Sequence, residues 1–297
     1  MVAEYSEDIN DYMLSLEQHS TLNLGYMDSQ HELDWHMRGI LVDWLIEVHY
    51  KFHMVAETLF LAVNIIDRFL SLRVVSSQKF QLVGLAALFV AAKYEEIQCP
   101  PLSYFIYYAD GGYTADEVLR AERYMLQTLG FDMGYAHPLH FLRRLSKADG
   151  YDTNSRTIAK YFIEMQCVDH ELLQFAPSLL AAAALCLARR VLGRGEWDEN
   201  LVHYSGYYVE QLEHCMQVMV EYAHGLTQEP NASNSNSNSN SNSNSNSSSP
   251  HRARHQPRHS ALHAKYASRR MFRASIQVLD YLHATLIYSY AFYPSSY

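Results

Sequence analysis

The sequence predicts an all-α protein built from two similar helical repeats. Apolar residues recur every three to four positions along nearly the whole chain, and no stretch alternates as a half-buried strand does. Two helices of small apolar residues, Leu85–Lys93 and Ala181–Arg189, lie on either side of a break at Tyr135–Leu139. A helix that is apolar on all sides belongs at the centre of a bundle. The pair therefore indicates a duplicated five-helix unit.

The chain divides into three regions. We predict an N-terminal helix and linker over residues 1–28, a first repeat over 29–135, and a second repeat with a C-terminal tail over 136–297. Residues 231–250 consist almost wholly of Asn and Ser, which provide too little apolar surface to fold. Because helical periodicity returns after Pro250, we expect a disordered insertion within the second repeat.

Two helix starts are predicted from capping boxes, in which a hydroxyl residue is followed three positions later by a glutamate. Ser29 with Glu32 predicts one start, and Thr114 with Glu117 predicts another. Each box would satisfy backbone N–H groups that the first turn of a helix leaves without a partner.

The charge distribution bears on the class of partner. The net charge is −9, yet residues 251–297 contain seven Arg or Lys and one acidic residue, so the rest of the chain is strongly acidic. Nucleic-acid binding draws affinity from Lys and Arg that neutralise phosphates. An acidic body therefore argues against direct nucleic-acid binding.

Composition also bears on the cellular compartment. The longest apolar run, Leu179–Ala188, is shorter than the roughly 20 residues that a membrane helix needs, and the polar N-terminus lacks a signal sequence. The four cysteines show neither metal-site nor disulfide spacing. We expect a cytosolic or nuclear protein with no metal, no cofactor and no membrane association.

Four successive helices of the first repeat each carry one ionisable residue within an apolar arc, at 100° per residue. These residues are Arg38, Asp67, Lys93 and Glu122. A single buried charge costs several kcal/mol unless it is paired, whereas two cations and two anions can satisfy one another. We predict a buried ion network in which Arg38 binds Asp67 through two hydrogen bonds, with the other two residues nearby. The alternative is that some of these side chains reach solvent at helix ends.

The segments that carry these charges resemble the two cyclin boxes of B-type mitotic cyclins. Similar to the first box are MRGILVDWLIEV, NIIDRFL, FQLVGLAALFVAAKYEEI and ADEVLRAERYMLQTLGF. Similar to the second box are FLRRLSKADGYD, TIAKYFIE, PSLLAAAALCLARRVLG and YSGYYVEQL. The resemblance runs from about Glu4 to Gly225 and resumes at HAKYASRRMFRAS. It implies an all-α fold of two five-helix cyclin-box repeats preceded by an N-terminal helix.

The resemblance also implies a regulatory subunit and not an enzyme. Such a subunit binds and activates a cyclin-dependent kinase, controls the transition from G2 to mitosis, and works in the nucleus and cytoplasm. By matching positions, the resemblance places eight residues on the kinase-binding surface: Lys93, Glu122, Tyr94, Glu95, Glu96, Phe131, Tyr5 and Tyr12.

A second surface implied by the resemblance is a docking patch for substrates and inhibitors that contain Arg-x-Leu segments. It maps onto Met37, Ile40, Leu41, Trp44, Glu47 and Gln81. Ile40 and Trp44 lie beside Glu47 on the helical wheel, so the spacing also favours an apolar groove with an acidic rim. The alternative is that all six residues belong to the core.

The second repeat shows no evident counterpart of the four charges, and Arg189 stands at the place that matches Lys93. We therefore expect function to reside mainly in the first repeat. Near the C-terminus, four basic residues are predicted to form a solvated helix face or a contact to an acidic partner: Lys265, Arg269, Arg270 and Arg273.

Two other functional classes are alternatives. The HExxH, GxSxG, Walker and Rossmann motifs of common enzymes are absent from the sequence, and His49 with His53 provides only two possible metal ligands. A transcription factor of the same duplicated fold would need a basic groove between the repeats, and the acidic body argues against one.

Overall fold

The computed structural model describes residues 3–19, 22–226 and 260–292, and within these ranges every regular element is a helix. The predicted all-α class is confirmed, since α2–α6 form one five-helix repeat and α7–α11 form the second. The α-helices are α1 (Ser6–His19), α2 (Trp35–Lys51), α3 (Ala56–Leu72), α4 (Ser77–Glu95), α5 (Leu102–Tyr108), α6 (Ala115–Thr128), α7 (Pro138–Ala148), α8 (Thr153–Val168), α9 (Pro177–Val191), α10 (Glu199–Ser205), α11 (Val209–Gly225), α12 (Ser260–Ala267) and α13 (Ala274–Phe292). Short 3-10 helices span Ala3–Tyr5, Leu24–Ser29, His170–Gln174 and Arg269–Met271.

The two small-residue helices occupy the centres of their repeats. In the first repeat, α4 packs against α3, α6 and α2, and in the second, α9 packs against α7, α8 and α11. Ala86, Ala87 and Ala181–Ala184 are fully buried. Small side chains permit this close approach of neighbouring helices, as the sequence indicated.

The start of α2 differs from the prediction. Ser29 closes a 3-10 helix, and the side chain that caps α2 belongs to Asp34, whose Oδ1 accepts a hydrogen bond from the backbone N–H three residues later at 2.7 Å. Glu32 instead accepts from the backbone N–H and the hydroxyl of Ser77, at the start of α4. The capping box predicted at Ser29 is therefore wrong, because an aspartate closer to the apolar run takes its place.

The second predicted capping box is confirmed at the start of α6. The Thr114 hydroxyl accepts a hydrogen bond from the Glu117 backbone N–H, and the Glu117 carboxylate accepts one from the Thr114 backbone N–H. The hydrogen bonds that the Glu117 carboxylate accepts from the backbone N–H and the hydroxyl of Thr114 lower the pKa of Glu117 below its ordinary value.

The chain that follows the Asn/Ser tract returns to the body of the protein. α12 packs against α2 of the first repeat and α8 of the second, and α13 packs against α8, α9 and α11. The predicted return of helical structure is thus confirmed, while the tract itself, residues 231–250, lies outside the described residues. No helix in the described ranges is long and apolar enough to cross a membrane.

Metal ligands do not cluster in the described part of the chain, where no group of three His, Cys, Asp or Glu side chains is placed to hold an ion. His49 lies with its Nε2 2.8 Å from the carbonyl oxygen of Val55, so its ring takes part in an internal hydrogen bond.

The junction between the repeats contains a buried histidine, His137. Its ring stacks on that of His140 with centroids 3.7 Å apart and lies 5.7 Å from the ring of Phe60. Neither of its ring nitrogens has a hydrogen-bond partner among the described residues. Burial first, and then the nearby His140 and Arg143, lower the pKa of His137 to about 2 from its ordinary value of 6.5.

We expect His137 to make the protein less stable as the pH falls from 7 to 5. Because its folded pKa lies below its unfolded pKa, the unfolded state takes up the proton first, and stability is lost as the pH drops below about 6.5. The His137→Phe variant keeps a stacked ring but takes up no proton. It should therefore lose about 2 kcal/mol less stability over this range.

Urea unfolding followed by circular dichroism at both pH values measures this difference. His36 is exposed, so the His36→Phe variant serves as the control and should lose as much stability as the unaltered protein. Equal losses for His137→Phe and the unaltered protein would contradict the expectation.

Candidate protein-binding surfaces

A buried ion pair joins α2 to α3. Arg38 donates from Nε to Oδ1 of Asp67 and from Nη2 to Oδ2, each at 2.7 Å, and both side chains are almost completely buried. The hydroxyl of Tyr26 donates to the same Oδ1 at 2.7 Å. Burial, the largest single influence, lowers the pKa of Arg38, but the effects of Asp67, Tyr26 and Cys167 together outweigh burial and raise it. The predicted bidentate pair is confirmed.

The third hydrogen bond of Arg38 crosses to the second repeat. Its Nη1 donates to the carbonyl oxygen of Cys167, near the end of α8, at 2.8 Å. Next to it, the rings of Trp35 and His170 stack with centroids 4.4 Å apart. Arg38 therefore links the start of α2 to the second repeat. Its other two hydrogen bonds, to Asp67, join α2 to α3 within the first repeat. Sequence reasoning did not anticipate this bond.

The second ion pair of the first repeat, Lys93–Glu122, is only partly buried. The Lys93 ammonium lies 2.7 Å from Oε1 of Glu122, and the two side chains are 44% and 10% exposed. No hydrogen bond or ion pair in the described residues links this pair to Arg38. The predicted single buried network is therefore wrong, because Lys93 lies in the last turn of α4 and its long side chain reaches solvent there.

Exposed aromatic side chains accompany Lys93. Tyr94 is 59% exposed and Phe131 is 66% exposed, and the neighbouring Ile97, which the sequence analysis did not select, is fully exposed. The Lys93 ammonium also lies 4.2 Å from the centroid of the Phe89 ring. We call Lys93, Tyr94, Glu95, Glu96, Glu122 and Phe131 the α4–α6 face.

The two glutamates of the α4–α6 face differ in their surroundings. Glu96 accepts hydrogen bonds through Oε1 from the backbone N–H of Val55 and the hydroxyl of Thr58, so its carboxylate caps the start of α3. Glu95 is half-buried, and burial, with the charges of Glu57 and Glu96, raises its pKa. Glu96 thus has an internal role that the resemblance did not imply.

The N-terminal helix α1 is held against the second repeat. The Glu17 carboxylate accepts hydrogen bonds from the backbone N–H and the hydroxyl of Ser178, at 2.7 and 2.8 Å, and so caps the start of α9. Glu7 pairs with Arg144 of α7. These contacts leave Tyr5 and Tyr12 exposed, as a role in partner binding requires.

The six residues of the predicted docking patch form a partly exposed strip along α2 and the start of α4, and we call them the α2 patch: Met37, Ile40, Leu41, Trp44, Glu47 and Gln81. Ile40 is half-exposed, and Met37 and Trp44 are partly exposed. Leu41 is buried beneath them. The alternative that all six are core residues is therefore wrong, although it holds for Leu41.

The acidic rim of the α2 patch is also present. Glu47 is exposed and forms an ion pair with Lys51, one turn later, at 2.8 Å. Gln81 is exposed, and its Oε1 accepts a hydrogen bond from the Tyr113 hydroxyl at 3.4 Å. Glu47 raises the pKa of Lys51 through this pairing.

Buried charges occur in the second repeat too, contrary to the prediction. Glu164 of α8 accepts two hydrogen bonds from the Lys265 ammonium, at 2.9 and 2.7 Å, and one from the Tyr266 hydroxyl, at 2.6 Å. Arg189 pairs with the buried Asp149. The solvated position predicted for Lys265 is wrong, whereas Arg269, Arg270 and Arg273 are exposed. On the helical wheel of α8, Glu164 falls between the buried Tyr161 and Cys167, so the criterion that selected Asp67 would have found it.

The described residues thus define a class of helical protein, a duplicated five-helix bundle that presents exposed aromatic surfaces. Its two halves match two family descriptions, "Cyclin, N-terminal domain" over residues 8–134 and "Cyclin, C-terminal domain" over residues 136–279. The chain belongs to the cyclin family.

Known relatives refine the placement. The chain is 57% identical over 222 residues to the G2/mitotic-specific cyclin cdc13 of Schizosaccharomyces pombe, an alignment that covers 75% of this chain and 46% of the relative. It is 50% identical over 224 residues to the G2/mitotic-specific cyclin-B of Emericella nidulans, with 75% and 47% coverage. The chain therefore spans about half the length of the curated relatives it matches.

Solved structures support the fold. A viral cyclin from herpesvirus saimiri superposes with a TM-score of 0.60 and 18% identity, covering 72% of this chain and 94% of that one. A chain of the yeast RNA Pol II CTD kinase CTDK-1 complex superposes with a TM-score of 0.55 and 13% identity, covering 66% and 69%.

We expect the buried pair of Arg38 and Asp67 to be strongly coupled. Arg38→Met or Asp67→Leu alone leaves one buried charge without its partner and should cost about 3–5 kcal/mol of unfolding free energy. The double variant removes both charges and should cost much less than the sum.

Urea unfolding of the four proteins measures this coupling. Lys51→Met, which removes an exposed cation from the same helix, is the control and should leave the unfolding free energy unchanged within error. Additive losses in the double variant would show that the two charges do not depend on each other.

Proposed function

We propose that the chain is the non-catalytic regulatory subunit of a cyclin-dependent protein kinase and controls the transition from G2 to mitosis. Its similarity to two fungal G2/mitotic-specific cyclins supports this proposal. One structural relative is a chain of the yeast RNA Pol II CTD kinase CTDK-1 complex. The proposal depends chiefly on the Lys93–Glu122 ion pair. Its lysine is half-exposed and lies among the exposed aromatic residues of the α4–α6 face.

This arrangement suits a rigid binding surface. The Lys93 ammonium is held by the Glu122 carboxylate and the Phe89 ring, so little side-chain freedom is lost when a partner covers it. Because the cation is already paired, its burial leaves no unpaired charge. Exposed Tyr94 and Phe131 supply the large aromatic area that is typical of energetically dominant interface residues.

In this proposal, binding of the chain fixes the position of one helix of the kinase. A cyclin-dependent kinase is completed when its mobile regulatory helix is held so that its Glu meets the Lys that positions ATP. In this proposal the α4–α6 face holds that helix, and Tyr5 and Tyr12 of α1 extend the contact. The chain contributes no group to the phosphoryl transfer itself.

The α2 patch serves, in this proposal, as the docking site for substrates and inhibitors with Arg-x-Leu segments. The half-exposed Ile40 and partly exposed Trp44 provide an apolar surface, and the exposed Glu47 supplies a negative charge for the arginine of the segment. The α2 patch lies on different helices from the α4–α6 face, apart from Gln81 at the opposite end of α4. Docking and kinase activation should therefore be separable.

The alternative of a cyclin-fold transcription factor receives less support. Lys265, one of the four basic residues predicted above to form a helix face near the C-terminus, is buried in an ion pair and unable to contact phosphates.

The direct test of the proposed function is to mix the purified chain with a monomeric cyclin-dependent kinase and measure phosphorylation of a short peptide. No increase in phosphorylation at saturating chain would contradict the proposal.

We expect Lys93→Ala with Glu122→Ala to abolish kinase activation, because the variant removes the fixed charged centre of the α4–α6 face. Phosphorylation of the short peptide at increasing concentrations of the chain measures the effect, which should exceed 100-fold in the concentration needed, or about 2.7 kcal/mol. Arg123 is exposed beside Glu122, so Arg123→Ala is the control and should activate normally. Full activation by the double variant would remove the α4–α6 face from the proposal.

We expect Met37→Ala with Trp44→Ala to spare phosphorylation of a short peptide and to impair phosphorylation of a substrate that carries an Arg-x-Leu segment. The variant truncates the apolar part of the α2 patch and leaves the α4–α6 face intact. The ratio of kcat/KM for the two substrates measures this separation and should fall at least tenfold. Equal losses on both substrates would contradict separate surfaces.

A further inference from the structure

The C-terminal helices α12 and α13, residues 260–292, span the two repeats, and we call them the strap. They connect to α11 only through residues 227–259, which lie outside the described residues. α12 occupies a groove between α2 of the first repeat and α8 of the second. The groove is therefore filled by a segment that is distant in sequence from both of its walls.

A polar contact ties the start of the strap to α2. Oδ1 of Asp43 accepts a hydrogen bond from the backbone N–H of Ala261 at 3.1 Å, so an α2 side chain caps α12. A helix N-terminus without a capping side chain leaves several backbone N–H groups without partners. A carboxylate at this position also interacts favourably with the helix dipole. Burial raises the pKa of Asp43, and hydrogen bonds from the first backbone N–H groups of α12 oppose that rise.

A buried ionic contact ties the strap to α8. Lys265 and Tyr266 both bind the Glu164 carboxylate, and all three side chains are buried. If the strap left the groove, Glu164 would lose every hydrogen bond that the described structure gives its carboxylate. Partial release is therefore costly, and the strap should be either docked or free.

Apolar contacts complete the groove. Leu262 and Tyr266 of α12 and Val278 of α13 are buried in the core of the second repeat, and the rings of Tyr161 and Tyr266 lie 5.3 Å apart. The first-repeat residues Val42 and Ile46 of α2 belong to the same apolar cluster. α2 is thus held at Arg38 by α8 and one to two turns later by the strap.

We propose that the strap is a separable docking element that binds the α2–α8 groove of its own chain and thereby holds α2, with the α2 patch, in place. Five of the six residues of the α2 patch lie on α2, the helix whose Asp43 caps the start of the strap, and Asp43 directly precedes Trp44. Release of the strap loosens α2 and leaves the α4–α6 face unchanged, since no residue of that face forms a hydrogen bond, ion pair or ring contact with the strap in the described structure. The consequence for substrate docking rests on the proposed function, whereas the effect on α2 does not.

The test uses the full chain with a recognition site for a specific protease inserted within residues 231–250. After cleavage, size-exclusion chromatography should show the strap co-eluting with the body at micromolar concentration, with the circular-dichroism signal of the intact chain. Loss of the helical signal on cleavage would overturn separability. Elution as a dimer that exchanges straps between copies would overturn docking within one chain.

Two strap variants identify the contact that retains it. In the cleaved chain, Lys265→Met leaves Glu164 buried without its cation and should release the strap, with at least a tenfold weaker retention. Arg270 is exposed in the same segment, so Arg270→Met makes the same charge change and should leave the strap bound. Equal retention of the two variants would overturn the role of the Lys265–Glu164 pair.

Hydrogen exchange followed by mass spectrometry measures how release of the strap affects α2, and it needs no binding partner. In the cleaved Lys265→Met chain, amides of residues 35–51 should exchange at least tenfold faster than in the cleaved Arg270→Met chain, while those of α4 and α6 keep their rates. Unchanged exchange in α2 would overturn the proposal. Binding of a fluorescent Arg-x-Leu peptide is measured in parallel: failure to bind even the intact chain would refute the docking function and leave the exchange result to decide the role of the strap.

Discussion

The structure depends on one constraint, that each nitrogen of the buried Arg38 guanidinium has a hydrogen-bond partner. A charge at this depth is tolerated only when its donors are paired, and Arg38 divides them between two partners in different repeats. Asp67 neutralises the charge within the first repeat, and the Cys167 carbonyl accepts from the remaining nitrogen across the junction. Arg38 keeps both partners only when the two repeats are arranged as they are here. Burial of its charge therefore requires the two repeats to meet in one orientation.

This constraint explains why α2 takes part in the junction between the repeats, in the α2 patch and in the contact with the strap. Its inner side carries Arg38 and joins a core that includes residues of both repeats. Its outer side carries Ile40 and Trp44 of the α2 patch, and Asp43 caps the strap. A helix held at several points offers a partner a surface that loses little freedom on binding, which favours affinity.

Much of the fold was predictable, because five-helix repeats follow from apolar periodicity and from two small-residue helices. The Arg38–Asp67 pair was predictable from charge balance on apolar arcs. The bond to Cys167 and the choice of Lys265 as the partner of Glu164 were not, since each joins residues more than 100 positions apart and no local pattern encodes the pairing. The predicted burial of Lys93 was wrong because helix geometry predicts the direction of a side chain but not how far a helix end extends into solvent.

The most direct test of this account measures the orientation of the two repeats. Spin labels at the exposed positions Arg123 in α6 and Glu213 in α11, with Cys99 replaced by serine, report the distance between the repeats by pulsed electron paramagnetic resonance. In the folded Arg38→Met, Asp67→Leu double variant, which lacks the buried Arg38–Asp67 pair and the donor to Cys167, the account predicts a clearly broader distance distribution. A distribution identical to that of the unaltered protein would contradict it.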